Sequence, residues 1–183
     1  DEPETDRDNP LLYRQNKLRG YCKIYNRTTQ QLYNILQQAD PALRVLSLTW
    51  GSSRVKMYVD ALMELSEKDE KGNYKRPNTR NAILGMARYG SLDDKIQATM
   101  RFVDTLCESP AMRQAHSQYI EATRQLAARG IILCVAGGND RGAMDTTAPL
   151  WPGGEFNDLA KSPYVISVAA LDTNQTPGYR ADD

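Results

Sequence analysis

Ala128-Arg129-Gly130-Ile131-Ile132-Leu133-Cys134-Val135-Ala136-Gly137-Gly138-Asn139 is the stretch that decides the fold class. Its middle, Ile131–Ala136, is a near-continuous apolar run, the pattern of a parallel strand covered on both faces. Gly130 stands just before the run, where it suits the end of a preceding helix. That helix is predicted to open at Ser109-Pro110, with proline at its first position, and to run to Arg129. After the run come Gly137 and Gly138, which permit positive φ and close backbone approach. Asn139 follows with an amide that can donate hydrogen bonds. The same three residues also suit a tight turn.

Outward from this centre, strands and helices alternate. Downstream, Gly137–Gly154 reads as loop, Tyr164–Leu171 (YVISVAAL) as a strand, and Asp172–Asp183 as polar loop. Upstream, Arg44–Trp50 (RVLSLTW) is a strand ended by Gly51-Ser52-Ser53. Before it, a helix from Thr28 or Thr29 to about Ala39 carries Leu32, Ile35 and Leu36 on one face. Leu18–Tyr25 (LRGYCKIY), rich in aromatic and branched residues, reads as a first strand, preceded by a polar arm at 1–17. Between Gly51 and the long helix the pattern is helical. Val55–Glu67 aligns Val55, Tyr58, Val59, Leu62 and Met63. Ser66–Pro77 is a charged, solvated loop, and Asn78–Tyr89 is a helix stopped by Gly90. Ser91, with Asp94 three residues on, caps the next helix, which carries Ile96, Met100, Val103 and Cys107. The expectation is an α/β protein with a mainly parallel sheet and helices on both faces. At 183 residues the chain is one domain's worth, so 1–183 is read as a single domain.

Composition narrows the function. Lys plus Arg and Asp plus Glu are 23 each, so there is no basic excess for nucleic acid or an anionic membrane surface. The longest apolar runs are far too short to span a bilayer. His116 is the only histidine, which excludes a histidine-rich metal site. Cys22, Cys107 and Cys134 lie far apart without C-x-x-C spacing, so no metal site is expected. Their odd number leans toward a reducing compartment. Cys22 and Cys134, inside apolar runs, are expected to be small buried side chains.

Three of these segments, in order, resemble the subtilisin-like serine peptidases (subtilases). In that family a strand ends in Ser-Leu-Gly or Ser-Trp-Gly, a later strand ends in Ala-Ala-Gly-Asn, and another reads Val-Ile-Ala-Val-Gly-Ala-Val-Asp. Here they are Arg44–Gly51 (RVLSLTWG), Ala128–Asn139 and Ser162–Asp172 (SPYVISVAALD). Leu18–Tyr25 looks like the family's preceding strand. Residues 54–110 then read as a helical insertion within a partial subtilisin-like domain.

The resemblance implies roles by position. Asn139 matches the oxyanion-hole asparagine, whose NH₂ donates to the negative oxygen of the tetrahedral intermediate. Thr49, Trp50 and Gly51 match the segment whose backbone pairs with the extended substrate. Ala136, Gly137 and Gly138 match one wall of the pocket for the residue before the scissile bond. Trp50 stands where leucine is commoner. The implied partner is a peptide or protein substrate, with no cofactor, no nucleic acid and no membrane. The family's usual setting implies secretion, against the lean of the cysteines.

The family's Asp strand, His-Gly-Thr-His helix and Gly-Thr-Ser-Met-Ala motif are all absent. Its Asp-bearing strand lies between the strands that Leu18–Tyr25 and Arg44–Trp50 match, so the sheet is expected to lack a central strand. A gap there would expose backbone donors and acceptors. The expectation is a portion of a serine endopeptidase, inactive alone and completed by segments of the same or another chain. His116 does not replace the base. It shares a helical stripe with Met112, Ala115, Tyr119, Ile120 and Thr123, which suits packing, and Ser117 points elsewhere. Two other readings stand beside this one. One is a catalytically dead pseudopeptidase or interaction module using the helical region. The other is a Rossmann-like nucleotide binder through Gly137–Gly142, whose loop opens no helix and lacks a Gly-Lys-Ser/Thr ending.

Overall fold

The run after Gly130 forms a strand, as its unbroken apolar character requires. The computed structural model describes residues 9–38, 40–85, 90–137 and 157–168. In chain order the elements are α1 (Pro10–Gln38), β1 (Val45–Leu48), α2 (Arg54–Ser66), α3 (Pro77–Leu84), α4 (Leu92–Cys107), α5 (Pro110–Ala128), β2 (Ile132–Ala136), a 3-10 turn (Asp158–Lys161) and β3 (Val165–Val168). The three strands form one parallel sheet in the order β1-β2-β3. Register sets Leu46 beside Leu133 and Leu133 beside Val165, with Leu48 beside Val135. The protein is α/β with a small parallel sheet.

Two sequence expectations about the first third of the chain are overturned. Leu18–Tyr25 is not a strand, and 10–17 is not an arm; both belong to the 29-residue helix α1. Its buried residues Tyr13, Tyr21, Cys22, Tyr25, Thr28, Thr29, Leu32 and Leu36 recur at helical spacing across the whole stretch. A short aromatic window mimics a strand, but only the long window shows the 3.6-residue period. The expected gap in the sheet therefore does not occur among the described residues. Among the described residues β1 is an edge strand, with its outer side open.

Helix ends follow local chemistry. Ser91 Oγ accepts from Asp94 N, and the Asp94 carboxylate accepts from Ser91 N, a complete capping box on α4. α5 ends at Gly130, φ 74°, where Ile131 N donates to Leu126 O at 3.0 Å and Gly130 N to Ala127 O at 2.9 Å. α3 is shorter than the expected Asn78–Tyr89: Gly85, φ 57° in the left-handed region, ends it and donates to Asn81 O. The charged loop contains a tight hairpin. Lys68 pairs with Tyr74, and Asp69 Oδ1 accepts from Lys71 N and Asn73 N around Gly72.

The chain divides into two compact units, Asp1–Cys22 with Lys56–Arg113, and Lys23–Val55 with Gln114–Asp183. The first is helical. Its second stretch overlaps the 54–110 region, and it also takes in the start of α1, outside that region. Tyr13 stacks on Phe102 in its core, the Tyr13 hydroxyl donates to Glu64 Oε2, and the Tyr58 hydroxyl donates to Asp104 Oδ1 at 2.6 Å. Cys22 Sγ lies 3.4 Å from Met112 Sδ, and Cys107 Sγ lies 3.8 Å from Met57 Sδ.

The second unit holds the sheet. Leu46, Leu48 and Leu133 line a cavity of about 370 Å³ together with Leu32 and Ile35 of α1, so α1 packs on that face. The opposite face was expected to carry helices too. Among the described residues it is open: Val45 is 55% exposed, Ile132 46%, and Ile166 and Val168 52% each. Cys134 lies on this open face and is half-buried, less enclosed than its apolar run suggested.

Candidate functional site at the carboxyl ends of β1 and β2

In open parallel sheets, ligands bind beyond the carboxyl ends of the strands. Here β1 leads into Thr49-Trp50-Gly51-Ser52, and β2 ends at Ala136 and leads into Gly137. Because β1 and β2 are adjacent and parallel, both segments leave the sheet at the same end.

One side chain ties them together. Asn157 is 4% exposed. Its Nδ2 donates to Trp50 O at 3.1 Å and to Ala136 O at 2.9 Å. Its Oδ1 accepts from Leu159 N at 3.1 Å, capping the 3-10 turn. Its backbone N donates to Gly137 O at 2.7 Å, and Asp158 N donates to Ser52 O at 2.9 Å. Gly137 N in turn donates to Val168 O at 2.7 Å, carrying the pairing on to β3. Both N–H bonds of the amide are therefore spent on carbonyls. Asn157 is a positioning residue, with no donor left for a ligand.

This arrangement explains Gly51. A Cβ built at that position would stand 1.9 Å from Asn157 Oδ1 and 2.2 Å from Nδ2. The close approach of the amide to the β1 exit demands a residue without a side chain.

Trp50 is 48% exposed, and its Nε1 donates to Thr28 Oγ1 at 3.4 Å. The indole lies at the mouth of the apolar cavity beside β1, which Leu48 and Ile35 also line. Thr49 and Gly51 are exposed, whereas Gly137 is buried. Behind the turn, the Tyr119 hydroxyl donates to Leu159 O at 2.6 Å, and Thr123 Oγ1 meets Ser162 Oγ at 2.8 Å. Burial pushes the Tyr119 phenol well above its usual range, which keeps it a donor.

Of the residues singled out in the sequence, Trp50, Gly51, Ala136 and Gly137 all lie against Asn157, which bridges them. Gly138 and Asn139, and with them most of the Gly137–Gly142 loop, lie outside the described residues. Asn157 was missed. Its signal was modest: an asparagine directly before Asp158-Leu159, where a short helix can start. Its long-range bonds to residues 50 and 136 leave no local trace.

The other candidates lie apart in role. His116 is suited to packing by its helical stripe. It is exposed, though its ring does pack edge-on against Tyr25, 5.4 Å between centroids. Ser117 is exposed as well. No disulfide joins Cys22, Cys107 and Cys134. Burial raises the pKa of the Cys22 thiol, which disfavours the nucleophilic thiolate. Among the described residues no three His, Cys, Asp or Glu side chains are grouped to hold a metal, and no helix is long and apolar enough to cross a membrane.

The described part of the site thus combines two strand exits tied by Asn157, the exposed indole of Trp50 and an apolar cavity beside β1. No family model matches the sequence, and neither a curated protein nor a solved structure matches it.

Proposed function

We propose that this chain carries the substrate-holding portion of a subtilisin-like serine endopeptidase. The observation that supports it is the Asn157 junction, which holds the exits of two adjacent parallel strands side by side. In this reading the backbone of Thr49–Gly51 pairs with an extended peptide substrate. Ala136, Gly137 and Gly138 wall the pocket for the residue before the scissile bond. Asn139 donates to the oxyanion of the tetrahedral intermediate.

The Asp, His and Ser come from other segments, in the same or another chain, and this chain alone does not turn over substrate. Two features support such partners. Among the described residues no strand pairs with the outer edge of β1, the side where the family's Asp-bearing strand lies. The face bearing Val45, Ile132, Ile166 and Val168 is apolar and exposed, whereas parallel sheets are covered on both faces.

The test uses the native protein purified from its source. It should react with a fluorophosphonate serine probe and cleave peptides. Asn139→Ala should lower kcat by about 10²–10³ with little change in KM, the loss that removing such a donor causes in subtilisin itself. A native product that neither labels nor cleaves would sink the reading and leave a binding role.

A further inference from the structure

Within the helical unit, Arg80 on α3 is a buried cation with no acid paired to it among the described residues. It is 2% exposed. Its Nη1 donates to Asn81 Oδ1 at 3.3 Å, and its Cζ lies 4.1 Å from the centre of the Tyr74 ring. Nε and Nη2 are buried and meet no hydrogen-bond partner among the described residues. These two nitrogens share one edge of the guanidinium. That edge is the one that grips a carboxylate or phosphate through two parallel hydrogen bonds. Arg124 of this same chain shows the geometry, with Nε and Nη2 each donating to one oxygen of Glu121 at 2.7 Å.

Three of the acids that precede Arg80 in the chain are engaged elsewhere. Asp69 accepts from its own turn, Glu67 pairs with Lys75, and Glu64 takes the Tyr13 hydroxyl and Lys17. A further cation, Lys68, stands 5.0 Å from the Tyr74 ring. A buried charge left unpaired is strongly destabilising, and a hydrocarbon of similar size would serve a purely structural role better. An unsatisfied buried group of this kind calls for a physical explanation.

We propose that Arg80 anchors an oxyanion-binding site, in which the Nε–Nη2 edge receives a carboxylate or phosphate group. The Tyr74 ring flanks the guanidinium plane, and Lys68 adds positive potential. The Tyr74 hairpin, closed by the Lys68–Tyr74 bridge and the Glu67–Lys75 ion pair, is the cover that yields to admit the anion.

The test measures the Tm of the full chain during titration with inorganic phosphate and, separately, with N-acetyl-glutamate, at constant ionic strength set by chloride. The wild type should gain Tm with one of them, and which one distinguishes a phosphate from an acidic side chain as the source. Arg80→Lys keeps the charge but loses the fork, and Arg80→Met loses both; each should weaken the response at least tenfold. Without either anion, Arg80→Met should match or exceed the wild-type Tm, because it removes an unpaired buried charge. No wild-type response beyond chloride overturns the proposal, as does an Arg80→Lys response equal to wild type. A lowered Tm of Arg80→Met in plain chloride overturns it too, since Arg80 would then be satisfied in the protein alone.

Discussion

At the exit of β1 the chain passes only because residue 51 has no side chain. The Asn157 amide occupies the space where a Cβ would lie and spends both its N–H bonds on carbonyls from two different strands. The pair makes a sharp prediction. Gly51→Ala should cost about 2 kcal/mol through overpacking. Asn157→Ala should cost about 3 kcal/mol, because Trp50 O and Ala136 O lose their donor. The double variant should cost less than the sum, since the alanine at 51 clashes with nothing once the amide is gone; denaturant unfolding of the four proteins measures the coupling. Asn157→Asp sets a carboxylate against two carbonyl oxygens. That raises its pKa, so the folded state binds the proton more tightly and the variant should recover stability as pH falls.

At the scale of elements, length decides between helix and strand. Leu18–Tyr25 alone has strand composition, yet it sits inside a stripe that runs helically from Tyr13 to Leu36. A helix of 29 residues satisfies its own backbone along its length. α5 offers a titration that checks its surface. Glu121 accepts from Arg124 and Gln125, and these hydrogen bonds hold its carboxyl down to about 2. A lowered pKa means the contact stabilises α5 fully above the ordinary glutamate range and fades as pH drops toward 2. A carboxyl carbon NMR titration should place the Glu121 midpoint near that value, and Arg124→Gln should move it up toward ordinary glutamate. An unchanged midpoint in that variant would show that Arg124 is not the cause.

At the scale of the whole molecule, the sheet is unevenly clothed among the described residues. One face carries Leu46, Leu48, Leu133 and Val135 toward α1 and the interior, while Val45, Ile132, Ile166 and Val168 face outward. A contiguous exposed apolar patch of this kind binds hydrophobic probes. The native protein should therefore raise the fluorescence of an anilinonaphthalene sulfonate dye below its unfolding transition. Ile132→Thr with Ile166→Thr should lower that signal severalfold. Their stability should change by only about 0.5 kcal/mol, because threonine suits a strand and neither residue is buried. Undiminished dye binding by the double variant would place the apolar surface elsewhere.

The sequence by itself determined the α/β class, the strand at Ile132–Ala136 and the caps at Ser91 and Gly130. Each is written in a window shorter than a few helical turns, where apolar period and capping chemistry act between near neighbours. It also marked where the chain leaves β1 and β2, because glycine follows each strand, at Gly51 and at Gly137. The tertiary structure alone decided that Leu18–Tyr25 is helical and that, among the described residues, the three strands are adjacent with one face of their sheet open. It alone brought Asn157 onto carbonyls 107 and 21 residues away. Those outcomes depend on which surfaces meet across long sequence separations, and no local pattern encodes a partner that far along the chain.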